Sequence, residues 1–153
     1  MRINAFADVC LRALMLLSAS PEGELLTTQA IADGVGTPYN HVSKAVLKLR
    51  SLGLVEAVRG RSGGVRLSAR GRTTTVGWLL RELDEREDLV ECESTEGRSC
   101  PLNNNCGLRG ALRRAREAFY RELDGIVVSS LPHQSQMEPV FVMLHTRRPE
   151  LPC

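Results

Sequence analysis

The chain has 153 residues, 42% of them apolar and 25% charged, which suffices for one domain with a buried core, or one domain and an appendage. No run approaches the ~18 apolar residues of a membrane-spanning helix. Asp8 and Arg12 interrupt the apolar N-terminal segment, which argues against a signal peptide. We therefore expect a cytoplasmic protein without a membrane partner, whose cysteines stay reduced.

The formal net charge is only +2, but it is unevenly distributed. Residues 41–72 contain eight basic residues and one acid, whereas residues 81–96 contain eight acids and two basic residues. The basic block is a candidate footprint for the phosphates of a nucleic acid, although a solvated surface would show the same charges.

The first predicted element is a helix over residues 3–19. Its apolar residues recur at helical spacing and form one stripe, made of Phe6, Val9 or Cys10, Ala13, Leu14 and Leu17. Pro21 and Gly23 end the segment.

Two short helices joined by a tight turn at residues 34–36 are predicted by the sequence LTTQAIADGVGTPYNHVSKAVLKLRSLGLV. Thr27 or Thr28 can cap the first helix, and Thr37 can cap the second, with Pro38 at its first position. The apolar inward stripe of the second helix is Val42, Ala45, Val46, Leu49 and Leu52. This is the helix-turn-helix pattern, although an ordinary helical hairpin would also fit this segment alone.

A β-hairpin follows, with strands at residues 54–58 and 65–67 around the tip sequence RGRSGG. Arg59 and Arg61 project from the tip, where a guanidinium suits the negative potential of a DNA minor groove. A hairpin directly after a helix-turn-helix is a wing, so the order of elements favours DNA binding. The residues expected to contact DNA are Thr28, Gln29, Pro38, Tyr39, Asn40, His41, Ser43, Lys44, Lys48, Arg59, Arg61 and Gly63.

A further helix is predicted over the sequence TTTVGWLLRELDERED, with Trp78 as a packing residue. After a loop rich in cysteine, CGLRGALRRAREAFYRELDGIVVSSL predicts a long helix. Its apolar seam is Leu108, Ala111 or Leu112, Ala115, Phe119, Leu123 and Ile126. We interpret this seam as the interface of a homodimer, with packing against its own domain as the alternative.

The predicted fold class is mainly α with a small β-hairpin wing, namely a winged helix-turn-helix domain plus a long dimerisation helix. We expect a DNA-binding domain over residues 1–74, a cysteine loop and dimerisation helix over 75–130, and a partly disordered tail over 131–153. Within the tail, residues 140–144 (VFVML) are expected to add a short strand.

Three of the five cysteines lie close together on the loop CESTEGRSCPLNNNC. Seven residues separate Cys92 from Cys100, and five separate Cys100 from Cys106, whereas adjacent zinc-finger ligands are usually closer. This spacing favours an iron–sulfur cluster, which normally takes four protein ligands. A structural zinc with a histidine ligand and a redox switch of free thiols remain open.

The combined pattern resembles the NsrR-type nitric-oxide-sensing repressors, within the winged-helix iron–sulfur regulator family that also includes IscR. The resemblance runs from residue 1 to about residue 130. It covers FADVCLRALMLL, VGTPYNHVSKAVLKLRSLGLVEAVRGRSGG, VGWLLREL, the three-cysteine loop and ALRRAREAFYRELD.

The resemblance implies that Cys92, Cys100 and Cys106 bind a cluster, with [4Fe–4S] favoured over [2Fe–2S]. It implies that Asp8 of the other subunit is the fourth ligand, although Asp8 alone would read as a surface acid paired with Arg12. IscR-like relatives use a histidine three residues after the last cysteine, where this chain has Arg109. We expect Cys10 to be a packed thiol, and Cys153 to have no role.

The function implied is that of a homodimeric repressor that binds a palindromic double-stranded operator. Nitric oxide is expected to release the repressor from this DNA. The alternatives are a [2Fe–2S] regulator of redox or cluster status and a zinc-stabilised winged-helix module without signal input. An enzyme is not expected, because the sequence has no phosphate-cradling glycine loop, no paired catalytic carboxylates and no Ser/His/Asp arrangement.

Overall fold

The computed structural model describes residues 3–84, 89–90, 92 and 99–146. Its helices are α1 (Ala5–Ala19), α2 (Thr28–Val35), α3 (Tyr39–Ser51), α4 (Ala69–Thr73), α5 (Val76–Leu83), α6 (Gly107–Leu123) and α7 (Gln134–Thr146). Two strands, β1 (Val55–Val58) and β2 (Gly64–Leu67), form an antiparallel hairpin, and a 3₁₀ turn spans Val128–Ser130. The predicted class, mainly α with a small hairpin wing, is confirmed.

The core is built around α1. Asn4 caps this helix, because its side-chain oxygen accepts a hydrogen bond of 2.6 Å from the N–H of Ala7. Its amide nitrogen donates to the carbonyl of Leu83 at 3.2 Å, which ties the start of α1 to the end of α5. Cys10 and Leu14 are buried on the helix, and α1 packs against α2, α3 and α5. The N-terminal helix thus joins the predicted DNA-binding elements to the later helices.

The helix-turn-helix has the predicted order, with one correction at a cap. Thr27 caps α2, and its hydroxyl accepts a bond of 3.0 Å from the N–H of Ala30. Gly36 ends α2 with φ at 63°, a left-handed conformation that glycine adopts without steric cost. The prediction that Thr37 caps α3 is wrong, because Pro38 occupies the cap position and the Thr37 hydroxyl donates to the carbonyl of Val35.

The wing is a two-stranded hairpin with Val55 opposite Leu67 and Val58 opposite Gly64. A third segment joins it, which the sequence pattern did not predict. Leu26 exchanges two backbone hydrogen bonds with Val65, of 3.0 and 2.8 Å. The segment that precedes α2 therefore pairs with β2, whereas β1 follows directly after α3, so both strands of the wing are attached to the helix-turn-helix.

The helices α5 and α6 cross at a glycine. A Cβ atom built on Gly77 would overlap the carbonyl oxygen of Tyr120 and Oδ1 of Asp124, and it would lie 2.7 Å from the amide nitrogen of Asp124. Only a residue without a side chain allows the two helices to approach this closely. After α6 the chain returns to the start of α5, where the N–H of Val76 donates to the carbonyl of Ile126 at 2.8 Å.

The predicted strand at residues 140–144 is wrong, because these residues lie in α7. The helix continues through Pro139 and lies against α2, where Val140 and Leu144 approach the position of Gly34. Partial burial of these apolar side chains against α2 outweighs the strand preference of the sequence VFVML. The predicted disorder of the last residues falls on 147–153, outside the described residues, and the predicted domain boundaries stay a prediction.

Within the described residues, no helix is both long enough and apolar enough to cross a membrane.

Candidate functional site

The outward face of α3 is polar and basic. Val42, Ala45 and Leu49 are fully buried, and they place the opposite side of the helix at the surface. Asn40 and Lys44 are exposed on that side, four residues apart, and Ser43 is half-buried beside them. Tyr39 is half-exposed at the first turn. The side chains predicted to meet base edges thus lie on one accessible face, although their contact with DNA stays a prediction.

Other predicted contact residues lie around this face. Thr28 begins α2, and the amide of Gln29 donates to Asp33 Oδ1 at 2.9 Å, so it is already engaged within its own helix. Pro38 and His41 are exposed at the start of α3. Lys48 is half-buried, whereas Lys44 is exposed. Lys44 is therefore freer than Lys48 to reach a phosphate.

The wing tip carries two exposed arginines. Neither Arg59 nor Arg61 has an ion-pair partner in the part of the chain that the structure describes, whereas Arg66 pairs with Glu56 across the strands at 2.9 Å. The N–H of Gly63 donates to the carbonyl of Gly60 at 3.0 Å and closes the tip. A larger residue than Gly63 would collide with the carbonyl of Val58, so this position has a steric role whether or not it contacts DNA.

The wing is fixed relative to α3 by hydrogen bonds at its base. The N–H of Leu54 donates to the carbonyl of Leu49 at 2.9 Å. Ser68 donates twice, from its hydroxyl to the carbonyl of Gly53 at 2.7 Å and from its N–H to the carbonyl of Leu54 at 3.0 Å. These bonds span the junction between α3 and the hairpin, so they fix the base of the wing against the end of α3.

The three loop cysteines are all free and half-buried. The N–H of Cys100 donates to the carbonyl of Cys92 at 2.8 Å, which brings the backbones of two candidate ligands together. Cys106 is the cap residue of α6, and its side chain makes no capping hydrogen bond. Residues 85–88, 91 and 93–98 of the acidic run and the loop lie outside the described residues.

A short turn connects the last two cysteines. The N–H of Asn103 donates to the carbonyl of Cys100 at 3.0 Å, and Arg109 in turn donates to the side-chain oxygen of Asn103 at 3.0 Å. Arg109 stands at the position where IscR-like relatives were expected to carry a histidine, and here it holds the turn through Asn103. Among the described residues, no three His, Cys, Asp or Glu side chains are grouped closely enough to hold a single metal ion. The chemistry of the donor set, three free thiols on one braced loop, nevertheless fits a thiolate-bound cluster.

Asp8 lies on α1, in the first turn of the helix. It is paired with Arg12, and it lines a cavity of about 610 Å³ between α1, α5 and α6. Asp84, Arg116 and Tyr120 line the same cavity, and none of its described lining residues is a cysteine. Among the described residues, Asp8 belongs to no group of three or more candidate metal ligands, and ligation by Asp8 of a partner stays a prediction.

The sequence pattern missed a polar contact at the entrance of the cysteine loop. Asp84 ends α5, and the hydroxyl of Tyr120 on α6 donates a short hydrogen bond to its Oδ2. Nη1 of Arg116 lies 3.6 Å from the same oxygen. Burial, together with the bond to Asp84, raises the pKa of Tyr120 to about 12. The spacing of four residues between Arg116 and Tyr120 was visible in the sequence, but their partner on α5 was not.

Cys10 is a buried packing residue, as expected. It is fully buried on α1, and burial raises the pKa of its thiol to about 12. Such a thiol is a poor nucleophile and a poor metal ligand at neutral pH. Cys153 lies outside the described residues.

An N-terminal helix, a helix-turn-helix and a basic two-stranded wing together define a winged-helix regulator, here with a cysteine loop preceding a long helix. Residues 3–134 match the Rrf2 family, described as iron-dependent transcriptional regulators. The chain therefore belongs to the Rrf2 family and is a transcriptional regulator.

Two relatives share most of their length with this chain. It is 48% identical over 132 residues to the HTH-type transcriptional repressor NsrR of Streptomyces coelicolor, a match that covers 86% of this chain and 88% of that protein. It is 38% identical over 131 residues to the HTH-type transcriptional regulator NsrR of Geobacillus kaustophilus, covering 86% and 89%. The resemblance to NsrR-type regulators that we drew from the sequence is confirmed.

Solved structures support the fold. CymR, the global cysteine regulator of B. subtilis, is similar with a TM-score of 0.64 at 21% identity, over 86% of this chain and 95% of that one. T. potens IscR is similar with a TM-score of 0.62 at 18% identity, over 90% and 96%. At these identities the likeness concerns the fold alone.

Proposed function

We propose that this chain is a DNA-binding transcriptional repressor that senses nitric oxide through an iron–sulfur cluster, [4Fe–4S] in preference to [2Fe–2S]. One observation carries the cluster assignment. Cys92, Cys100 and Cys106 are free, half-buried thiols on a loop braced by Arg109, in a chain whose family is described as iron-dependent. The repressor assignment is supported by the name of the relative that is 48% identical.

The three thiolates would hold the cluster, and Asp8 of a second subunit would complete its four ligands. When bound, the cluster supplies iron that reacts with nitric oxide. In this chain, Arg12 orients the carboxylate of Asp8 through two contacts, one of them a hydrogen bond of 3.0 Å from Nε. A carboxylate is a weaker ligand for such a cluster than a thiolate, so this position is the one most easily released.

A homodimer is supported by the exposed half of α6. Leu108 is 62% exposed and Leu102, on the preceding turn, is 75% exposed, whereas Phe119 and Leu123 pack against the chain's own core. The predicted seam is thus divided, and its N-terminal half is available to a partner. A two-fold dimer would place its recognition helices about 34–36 Å apart, one turn of DNA, which fits a palindromic operator.

The first helix provides a route from the cluster to the DNA. Asp8 lies on α1, and α1 packs against α2 and α3, where Cys10, Val42 and Leu49 are fully buried in one core. Because a packed helix moves as a unit, release of Asp8 would shift α3 relative to its partner. Coupling of this kind requires that the bound cluster favours one arrangement over the other.

The test is an anaerobic titration of the purified dimer with nitric oxide. Iron, zinc and sulfide are measured first, and visible absorbance and binding to an operator duplex are then followed together. We expect about four iron atoms per chain, bleaching, and parallel loss of DNA binding. Cys100→Ser should lose cluster and response, whereas Asn104→Ala, an exposed change on the same turn, should keep both.

Each alternative has its own result. Zinc without visible absorbance would indicate a structural metal module and contradict the proposal. Two iron atoms per chain, with DNA binding that follows redox potential and ignores nitric oxide, would favour the [2Fe–2S] regulator. If the cluster bleaches while DNA binding stays unchanged, the assignment of the cluster site stands and the sensing role is refuted.

A further inference from the structure

One apolar side chain stands on the outward face of α3. Leu47 is 61% exposed, although it lies on the same helix as the fully buried Leu49. It follows Asn40 by seven residues and Lys44 by three, so two helical turns bring these side chains to one side. Asn40 and Leu47 are separated by a rise of about 10 Å, which corresponds to about three base pairs.

The surroundings of Leu47 are cationic. Lys44, Lys48 and Arg50 lie on α3, which contains no acidic residue. A single exposed leucine is ordinary on a protein surface and needs no ligand. Leu47 differs because it lies within a basic face on the second helix of a helix-turn-helix. A basic face of this kind attracts a polyanion, such as DNA.

We propose that Leu47 contacts the methyl group of a thymine in the major groove and so contributes to the sequence specificity of this regulator. Thymine is the one base that presents a methyl group there, and apolar side chains are its usual partners. The neighbouring Asn40 and Lys44 would contact polar base edges or phosphates, while Leu47 discriminates by apolar contact. This inference rests on the proposed function, in which α3 enters the major groove.

The experiment uses the full chain and DNA duplexes that the wild type selects from a randomised library. Each thymine of the selected site is replaced by uracil, symmetrically in both halves, which removes the methyl group and keeps the base pairing. We expect one position at which uracil weakens wild-type binding about fourfold per half-site, the effect of withdrawing one methyl from an apolar contact. Leu47→Ala should bind thymine and uracil equally at that position.

Two further variants sharpen the test. Val142→Ala also removes an exposed apolar side chain, 58% exposed on α7, and it should retain the full wild-type sensitivity to uracil. Leu47→Asn, put through a second selection, should exchange thymine for adenine at the same position, because asparagine pairs with the major-groove edge of adenine. Leu47 is exposed, so both of its substitutions should leave folding unchanged.

The outcomes separate this inference from the function on which it rests. If the wild type selects a site and Leu47→Ala keeps the same sensitivity to uracil at every position, the role of Leu47 is refuted and DNA binding stands. If both Leu47 variants select the same DNA sequence as the wild type, the role of Leu47 is likewise refuted and DNA binding stands. If the wild type enriches no sequence at all, the proposed function fails first.

Discussion

Arg81 on α5 holds Asp124 at the end of α6 through two parallel hydrogen bonds, of 2.7 Å from Nη1 and 2.8 Å from Nη2. The same guanidinium reaches Glu117 at 2.9 Å and lies over the ring of Tyr120. A paired fork of this kind fixes orientation as well as distance. Arg81, a few residues before the cysteine loop, therefore helps to fix the relation between α5 and α6.

The first prediction concerns acid stability. The hydrogen bond from Arg81 lowers the pKa of Asp124 below its ordinary value of 3.8. The stabilisation is therefore present above this value and is lost as the pH falls through the lower folded-state pKa. Asp124→Asn should reduce the free energy of unfolding at neutral pH and flatten its fall below pH ~4. Urea unfolding at several pH values measures both, and an unchanged acid slope would show that the pair does not contribute.

The second prediction concerns the crossing of α5 and α6. Gly77→Ala places a methyl group against the carbonyl of Tyr120 and Asp124, so the helices must separate. We expect a loss of about 1–3 kcal/mol in the free energy of unfolding. Gly110→Ala is the matched control, since its Cβ would lie 3.6 Å from the flexible side chain of Arg114. That change should be neutral or stabilise α6 by up to about 1 kcal/mol; equal losses would contradict the assigned crossing.

The third prediction concerns α7, most of which lies beyond the residues that match the family. Leu144 packs towards Gly34 of α2 and is half-buried. Leu144→Ala should therefore destabilise the protein by about 1–2 kcal/mol, less than for a fully buried leucine. Val142→Ala, on the exposed side of the same helix, should change stability by less than about 0.5 kcal/mol. Thermal unfolding of both variants measures these effects. If the two losses were equally small, α7 would be only loosely attached to the core.

The fourth prediction separates the buried thiol from the loop thiols. Because burial raises the pKa of Cys10 to about 12, a brief treatment of the native, metal-free protein with iodoacetamide at pH 8 should leave it unmodified. Cys92, Cys100 and Cys106 are half-buried and should react first. Peptide mass spectrometry assigns each site, and Cys10 should become reactive only in denaturant. Early alkylation of Cys10 would mean that α1 opens readily from the core.

The fifth prediction concerns the wing. Arg61→Ala should weaken binding to all DNA sequences and lower the slope of log affinity against log salt by about one, as expected for one lost backbone contact. Arg66→Ala removes the same charge from the same hairpin, but Arg66 is already paired with Glu56. Arg66→Ala should therefore reduce DNA affinity and its salt dependence less than Arg61→Ala does. Equal reductions would indicate general charge attraction and not a specific contact at the wing tip. Fluorescence anisotropy at four or five salt concentrations is sufficient.

Local patterns were sufficient for the DNA-binding part. The helical spacing of Val42, Ala45 and Leu49 predicts which face of α3 is buried, because one turn of helix repeats every few residues whatever it packs against. The glycine-rich tip between two short apolar strands predicts the wing in the same way. The pairing of Leu26 with Val65 was missed, since nothing local to either residue specifies a partner 39 positions away.

The cysteine site was predicted less completely. The three thiols and their spacing are visible in the chain, but the bond between Cys100 and Cys92 and the brace from Arg109 depend on how the loop closes. The long seam of α6 was predicted as continuous. In the structure Phe119 and Leu123 pack against the core of their own chain, whereas Leu108 is exposed, because α5 covers only the second half of α6.

The sequence by itself determined the order of the elements, the basic wing and the set of thiols, because periodicity, turn chemistry and residue type act over a few neighbouring residues. Only the tertiary structure decided that residues 140–144 are helical, that Gly77 is the crossing point and that Arg81 holds Asp124. Each of these depends on an apolar surface or a charge brought close by folding from a distant part of the chain, and the energy of such contacts outweighs local preference.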